Sequence, residues 1–151
     1  MSSIIFYKPT PKVTGSVAAF SCRKNEQEGV NQFYLNIARQ VSWDAKSRTA
    51  RFRSEKPNND IAIKLNAVEL AGIVRSLSGK EDFSTVHKFQ DSTTSIAMKW
   101  FKRDNGAPIY SISISRGGEK YGIGLSANEA YVVSKFCDDG ILKLCEDKDN
   151  S

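Results

Sequence analysis

The chain has 151 residues, of which 40% are hydrophobic and 26% are charged, a composition typical of a globular protein. Its length suits one domain with a continuous core, and no apolar run approaches the length that crosses a bilayer, so no membrane role is expected. Lys and Arg outnumber Asp and Glu by 22 to 17, giving a net charge of +5. That excess is compatible with a polyanionic partner and also common on ordinary solvated surfaces.

The amino-terminal segment 1–15 is expected to be an extended lead-in. It lacks the basic segment, apolar stretch and cleavage site of a secretory signal, so we expect an intracellular location, in cytoplasm, nucleoid or nucleus. The chain has three cysteines, Cys22, Cys137 and Cys145. An odd number without metal-ligand spacing predicts reduced thiols that serve as packing residues.

The first half of the chain is predicted to contain four strands and a helix. Alternating side chains indicate strands at residues 16–23, 32–43, 49–54 and 60–65. Asn66 then has the residue type of a helix N-cap, and Glu69 stands three places later, where its carboxylate completes a capping box. Gly79 is expected as a left-handed C-cap.

The second half repeats this organisation. Strands are predicted at residues 84–90, 95–103, 109–116 and 120–125. Ser126 and Glu129 repeat the cap and its carboxylate, and Gly140 is expected to end the second helix. Turn-prone stretches separate the strands at residues 25–31, 44–48, 57–59, 104–107 and 117–119, which suits antiparallel neighbours.

The predicted fold class is therefore α+β, with two antiparallel four-stranded sheets each followed by a helix, in the order ββββα-ββββα. The two repeats span about 13–79 and 83–144, and residues 145–151 form a polar, acidic tail. Because about seventy residues are marginal for independent folding, we expect one domain over residues 1–151 with a shared core.

Alternation sorts the strand side chains into one face toward the helices and one toward solvent or a ligand. The outward set is rich in Lys, Arg, small hydroxyls and a few aromatics, which suits a single nucleic-acid strand: cations for phosphates and rings for bases. An ordinary solvated face is the alternative. The candidate nucleic-acid-binding residues are Lys12, Arg23, Tyr34, Asn36, Gln40, Arg51, Arg53, Lys64, Lys88, Lys99, Phe101, Arg103, Ser111, Ser113 and Lys120.

Catalytic and metal motifs are missing from the sequence. His87 is the single histidine, and no cluster of Cys, Asp or Glu stands at ligand spacing to it, so a structural or surface role is expected. Gly122 and Gly124 lie inside a predicted strand, not in a phosphate-binding turn, and indicate a close backbone approach. We therefore expect a non-enzymatic binding protein without cofactor or metal.

The two sheet-plus-helix units resemble the Whirly family of single-stranded DNA-binding proteins and the related positive-cofactor-four transcription coactivators. Whirly proteins carry a Tyr-Lys-Gly-Lys-Ala-Ala-Leu-Ser segment on their first strand, and residues 13–21 are similar to it. The positions that match are Gly15, Ala18, Ala19 and Ser21. The family's lysine after the glycine is Ser16 here, with Lys12 as the cation that compensates.

The resemblance implies binding of extended single-stranded DNA across exposed sheet faces, largely without sequence preference, in replication, recombination, repair or transcription. It also implies a homo-oligomer, a dimer or tetramer, whose contacts include the helices. Kinetoplastid mitochondrial RNA-binding proteins share this architecture and anneal RNA, so single-stranded RNA is one alternative ligand. A protein-interaction scaffold is another alternative. The acidic tail is interpreted either as a contact for a protein partner or as a solubilising terminus.

Overall fold

The first sheet lies in the amino-terminal half and has four antiparallel strands, in the order β1-β2-β3-β6. They are β1 (Ser2–Lys8), β2 (Ser16–Lys24), β3 (Asn31–Arg39) and β6 (Asp60–Leu65). A separate ribbon is formed by β4 (Ser42–Asp44) and β5 (Thr49–Arg51). The structure, a computed structural model, describes residues 2–54 and 58–149, with side chains described as far as residue 146.

The second sheet, in the carboxy-terminal half, is also antiparallel and has the order β10-β9-β8-β7. Its strands are β7 (Phe83–Phe89), β8 (Ser92–Arg103), β9 (Gly106–Arg116) and β10 (Glu119–Leu125). Helix α1 (Ala67–Leu77) follows the first sheet, and the longer helix α2 (Ala127–Asp149) follows the second. The prediction of an α+β fold with two four-stranded antiparallel sheets, each followed by a helix, is confirmed.

The membership of the first sheet differs from the prediction. The expected lead-in contains β1, which pairs with β2 from Ser2 opposite Cys22 to Lys8 opposite Ser16. Ile4 and Phe6 pack against the core, while Ile5 and Tyr7 point outward and are 49% and 65% exposed. Both sides of β1 are therefore apolar, so the alternation that reveals a strand is weak here.

The predicted strand at residues 49–54 is not part of the first sheet. The predicted strand 32–43 is broken after Arg39, and its last part pairs with Thr49–Arg51 as the two-stranded ribbon. Trp43 lies opposite Ala50 in this ribbon. The first residue of the predicted turn 57–59 lies outside the described residues. Residue 1 of the predicted lead-in and residues 150 and 151 of the predicted tail also lie outside them.

Both capping boxes are confirmed. In α1 the Asn66 side chain accepts from the Glu69 backbone N–H at 2.8 Å, and Glu69 accepts from the Asn66 backbone at 3.0 Å. In α2 the corresponding distances between Ser126 and Glu129 are 3.2 and 2.8 Å. Gly79 follows α1 with φ +83°, the left-handed conformation predicted for it.

Gly140 does not end α2, which continues to Asp149, so most of the predicted tail is helical. A Cβ at Gly140 would lie 2.7 Å from the Phe33 ring of β3. A Cβ at Gly72 would likewise lie 2.8 Å from the Phe83 ring of β7. Each helix therefore contains a glycine that lets it approach an aromatic ring on a sheet.

Helix α1 packs on the sheet of the other half, and helix α2 contacts both sheets. Helix α1 follows the first sheet but packs on the second, where Ser76 donates to the Met98 carbonyl and accepts from the Tyr110 hydroxyl at 2.8 Å. Helix α2 follows the second sheet and packs on β3, with the Phe136 and Phe33 rings 5.4 Å apart. Buried side chains of both halves form one core. Burial raises the pKa of the Tyr110 hydroxyl to about 12.

The three cysteines differ in burial. Cys22 and Cys137 are buried, and burial raises the pKa of the Cys137 thiol to about 12. Cys145 was expected to pack, but it is exposed on α2.

Neither described helix has a stretch long and apolar enough to span a membrane.

Candidate nucleic-acid interface

The side of the first sheet that faces away from the helices is called the first outer face. Its residues form cross-strand rows, because each strand turns alternate side chains to this side. The rows are Ser3–Ser21–Tyr34–Lys64, Ile5–Ala19–Asn36–Ala62 and Tyr7–Val17–Ala38–Asp60. The Arg23 guanidinium lies 4.5 Å from the Tyr34 ring centroid, so a cation and an aromatic ring are neighbours on this face.

The second outer face is the corresponding side of the second sheet. Its central rows are Lys99–Ser111–Gly124, Ser84–Ala97–Ser113–Gly122 and Val86–Ser95–Ser115–Lys120. Lys88 lies opposite Thr93 beyond one end, and Phe101 lies opposite Ile109 beyond the other. The small side chains leave a trough of about 610 Å³. None of the described residues in these rows is acidic; Lys120 lines the trough, and Lys88 and Lys99 lie on the same face outside it.

An exposed aromatic ring lies on the second outer face, beyond the row of Lys99 and Ser111. Phe101 is 48% exposed, and the Lys99 ammonium lies 4.8 Å from its ring centroid. The exposed ring offers a stacking surface, and the lysine next to it offers a charge for the neighbouring phosphate. A nucleic-acid strand can reach the floor of the trough, because glycine and serine side chains are small enough to let a ligand approach the backbone.

Strand β10 holds the two sheets against each other. The Ser16 hydroxyl donates to the Gly122 carbonyl at 2.6 Å, and the Arg39 guanidinium pairs with Glu119 at 2.7 Å. Tyr121 donates to the Asn58 carbonyl at 2.7 Å. Burial raises the pKa of the Tyr121 phenol. The close approach predicted at Gly122 is thus to β2 of the same chain.

Most of the sequence-predicted site residues lie on the two outer faces. The first outer face contains Arg23, Tyr34, Asn36 and Lys64. The second contains Lys88, Lys99, Phe101, Ser111, Ser113 and Lys120. Arg103 is exposed at the tip of the β8–β9 hairpin, where its Nε donates to the Ala107 carbonyl at 2.8 Å. The structure therefore groups these candidates into two surfaces.

The remaining candidates are placed differently from the prediction. Gln40 was expected on the outward side, but it is only 6% exposed. Its amide accepts from the Thr10 and Gly15 backbones and donates to the Thr10 and Ser42 carbonyls, so it stabilises the β1–β2 connection. Its inclusion as a binding residue was wrong, because a buried amide with four backbone partners has nothing left for a ligand.

Three exposed candidates lie beside the sheets and not on them. Arg51 is in the β4–β5 ribbon, and Arg53 is in the segment that follows it. The Phe52 ring between them lies 6.2 Å from the Tyr7 ring of the first outer face. Lys12 is in the turn between β1 and β2. These cations extend the first outer face at its edge.

A cleft between the edge strands β6 and β7 is the site that sequence reasoning missed. It has a volume of about 760 Å³ and is lined by the start of α1, the ends of β3 and β6, the middle of β7 and Leu144 of α2. Inside it, Glu69 accepts from Thr85 at 3.0 Å and pairs with His87 at 2.5 Å. The sequence signal for this site is the single histidine, His87. Its contact with the capping carboxylate of Glu69 is not apparent from the sequence, because the two residues are 18 positions apart.

Hydrogen bonds explain the ionisation of the capping carboxylates. Burial opposes the charge of Glu69 most strongly, but donors from His87, the Asn66 backbone and Thr85 outweigh it and lower the pKa of this carboxyl. For Glu129, burial is likewise outweighed by Lys8 and Ser126, so the pKa of its carboxyl is also lowered. Within the described residues, no three His, Cys, Asp or Glu side chains are arranged to hold a metal ion.

Comparison with solved structures finds a counterpart for this architecture. The crystal structure of MRP1/MRP2 from Trypanosoma brucei superposes with a TM-score of 0.57 and 12% sequence identity, covering 92% of this chain and 83% of that chain. The fold is shared. Neither a protein-family model nor a curated protein sequence matches the chain. At this identity the match establishes the fold alone, and the function must be argued from the residues.

Proposed function

We propose that this protein binds single-stranded nucleic acid on its two outer faces, largely without sequence preference, and that DNA is its main ligand. The second outer face carries the proposal. Lys120 lines its trough of small side chains, and Lys88, Lys99 and the exposed ring of Phe101 lie on the same face beyond the trough. Cations and an exposed ring on one face are what a flexible, stacked polyanion requires.

The choice of DNA over RNA depends on the proposed Whirly-type relationship, which segment 13–21 supports. The repeated unit of four sheet strands and a capped helix fits that family and equally fits the RNA-annealing proteins of the same architecture. Within segment 13–21, Gly15 and Ala18 are buried in the fold and serve packing. Ala19 and Ser21 lie on the first outer face. The proposed oligomer would use exposed apolar side chains on one side of α2, such as Tyr131 and Leu142.

RNA is the second candidate ligand. Ser111, Ser113 and Ser115 follow one another on the outward side of β9, where Ser113 and Ser115 line the trough, and their hydroxyls suit a 2′-OH as donor or acceptor. A protein-interaction scaffold would use the same surfaces without regard to their charge. The nucleic acid that binds best and the salt dependence of binding distinguish these alternatives.

A competition titration tests the proposal. Fluorescence anisotropy of labelled oligo(dT) is measured while unlabelled oligo(dT), oligo(U) or a hairpin duplex of matched phosphate number is added. We expect both single strands to displace the probe, oligo(dT) at the lower concentration, and the hairpin to displace it poorly. Superior displacement by oligo(U) would make RNA the ligand. Equal or better displacement by the hairpin, or no binding of oligo(dT), would refute single-strand recognition.

A further inference from the structure

The cleft between β6 and β7 has two apolar walls that no described residue covers. Val68, in the first turn of α1, is 81% exposed, and Val86, in the middle of β7, is 54% exposed. Both line the cleft. Apolar side chains presented to a concave space favour a flat or apolar ligand, because covering them releases water.

The polar groups of the cleft leave one acceptor and one donor for such a ligand. Glu69 is ionised and can only accept, so the His87 Nε2 that it contacts at 2.5 Å must carry a proton. In the neutral imidazole, His87 Nδ1 is then an acceptor, and it makes no hydrogen bond within the described residues. Asn66 uses its Oδ1 for the helix cap, so its amide NH₂ remains as a donor.

The charge of the cleft differs from that of the faces. Its titratable lining groups are Lys64, Glu69 and His87, and with a neutral imidazole the two charges cancel. Both oxygens of Glu69 are already used by Asn66, Thr85 and His87. A phosphate gains little here, whereas a neutral heterocycle that offers N–H and C=O groups matches the apolar walls and the free donor and acceptor.

The cleft also connects the two outer faces. Lys64 belongs to the row of Tyr34 on the first outer face, and Val86 belongs to the row of Lys120 on the second. Resting on the proposed function, we propose that this cleft receives an unstacked nucleobase of a single strand that passes from one outer face to the other. The base lies between Val68 and Val86, and its edge meets His87 Nδ1 and the Asn66 amide.

The NMR signal of the His87 imidazole tests this directly, because the chain has only one histidine. The full-length protein is titrated with oligo(dT), and separately with free thymidine, at a pH above the usual titration range of histidine. Oligo(dT) is expected to shift the signal. In parallel, anisotropy is measured for Val68→Gln and Val86→Gln, which fill the cleft with a polar, uncharged group. Each is expected to lower the affinity by about fivefold to a hundredfold, the range for one stacked base.

The matched control is Val132→Gln, the same change at a 47% exposed valine of α2 outside the cleft. It is expected to bind like the unmodified chain, and all three variants should keep the same salt dependence. An unmoved His87 signal with intact oligo(dT) binding, or cleft variants that bind like Val132→Gln, overturns the inference and leaves the proposed function standing. A shift with thymidine but not with oligo(dT) also overturns it. Absence of any salt-dependent oligo(dT) binding removes the proposed function itself, and the inference with it.

Discussion

Affinity for oligo(dT) is expected to fall by about two orders of magnitude at moderate salt when four cations of the outer faces are changed to alanine. The four are Arg23, Lys64, Lys99 and Lys120. Each phosphate neutralised on a single strand contributes about 0.7 to the slope of log K against log salt, so the slope should also become shallower by about three. Anisotropy titrations at a series of salt concentrations measure both quantities.

This effect should not arise from unfolding. All four cations are exposed, and none forms an ion pair within the described residues. Surface substitutions of this kind usually change the free energy of unfolding by about 0.5 kcal/mol or less each. Thermal melts of the quadruple variant should therefore resemble those of the unmodified chain.

A second quadruple variant removes the same charge from the helical side of the molecule. It carries alanine at Arg75, Lys80, Lys135 and Lys143. If the outer faces hold the strand, this control should keep most of the affinity and the steeper salt slope. If both variants lose affinity equally, binding follows the net charge of +5 and not the faces.

Neither half of the chain is expected to fold when the two are produced separately with a break after Gly79. The amino-terminal half would lose α2, which covers Phe33, and the carboxy-terminal half would lose α1, which covers Met98 and Tyr110. Burying one large apolar side chain contributes about 1.5–3 kcal/mol, while a whole domain is stable by only about 5–15 kcal/mol. Exposing several such residues therefore removes a large part of the total stability.

Circular dichroism during heating measures this outcome. Each separate half should show no cooperative transition, whereas the intact chain should melt in one step. The control inserts a short Gly/Ser segment after Gly79, which is exposed, and this chain should still fold because a longer loop costs little. A cooperative melt of either half alone would show that the halves are independent domains.

Local signals predicted the parts of the fold that local contacts determine. Asn66 and Ser126 are predictable as N-caps because each cap is hydrogen-bonded to the glutamate that follows it three residues later in the sequence. Strand alternation likewise identified which side chains turn outward, since the period of two depends only on the backbone. Strand β1 was missed because Ile5 and Tyr7, on its solvent side, are as apolar as the side that packs.

Long-range contacts determined the features that the sequence concealed. Gly140 has the residue type of a C-cap, but its position against the Phe33 ring of a distant strand makes it a packing glycine. Gln40 follows the outward phase of β3, yet its amide is consumed by the β1–β2 connection. The cleft at Val68 and Val86 is lined by residues from two sheets and two helices, so no single stretch of sequence predicts it.

If the two outer faces hold a single strand, addition of oligo(dT) should shift the backbone amide NMR signals of both faces. The largest shifts are expected on β2, β3 and β6 around Tyr34 and on β7 to β10 around Ser113, while the signals of exposed residues of α2 such as Leu142 keep their positions. Shifts that concentrate on the exposed sides of α1 and α2, with the sheet rows unmoved, would contradict it.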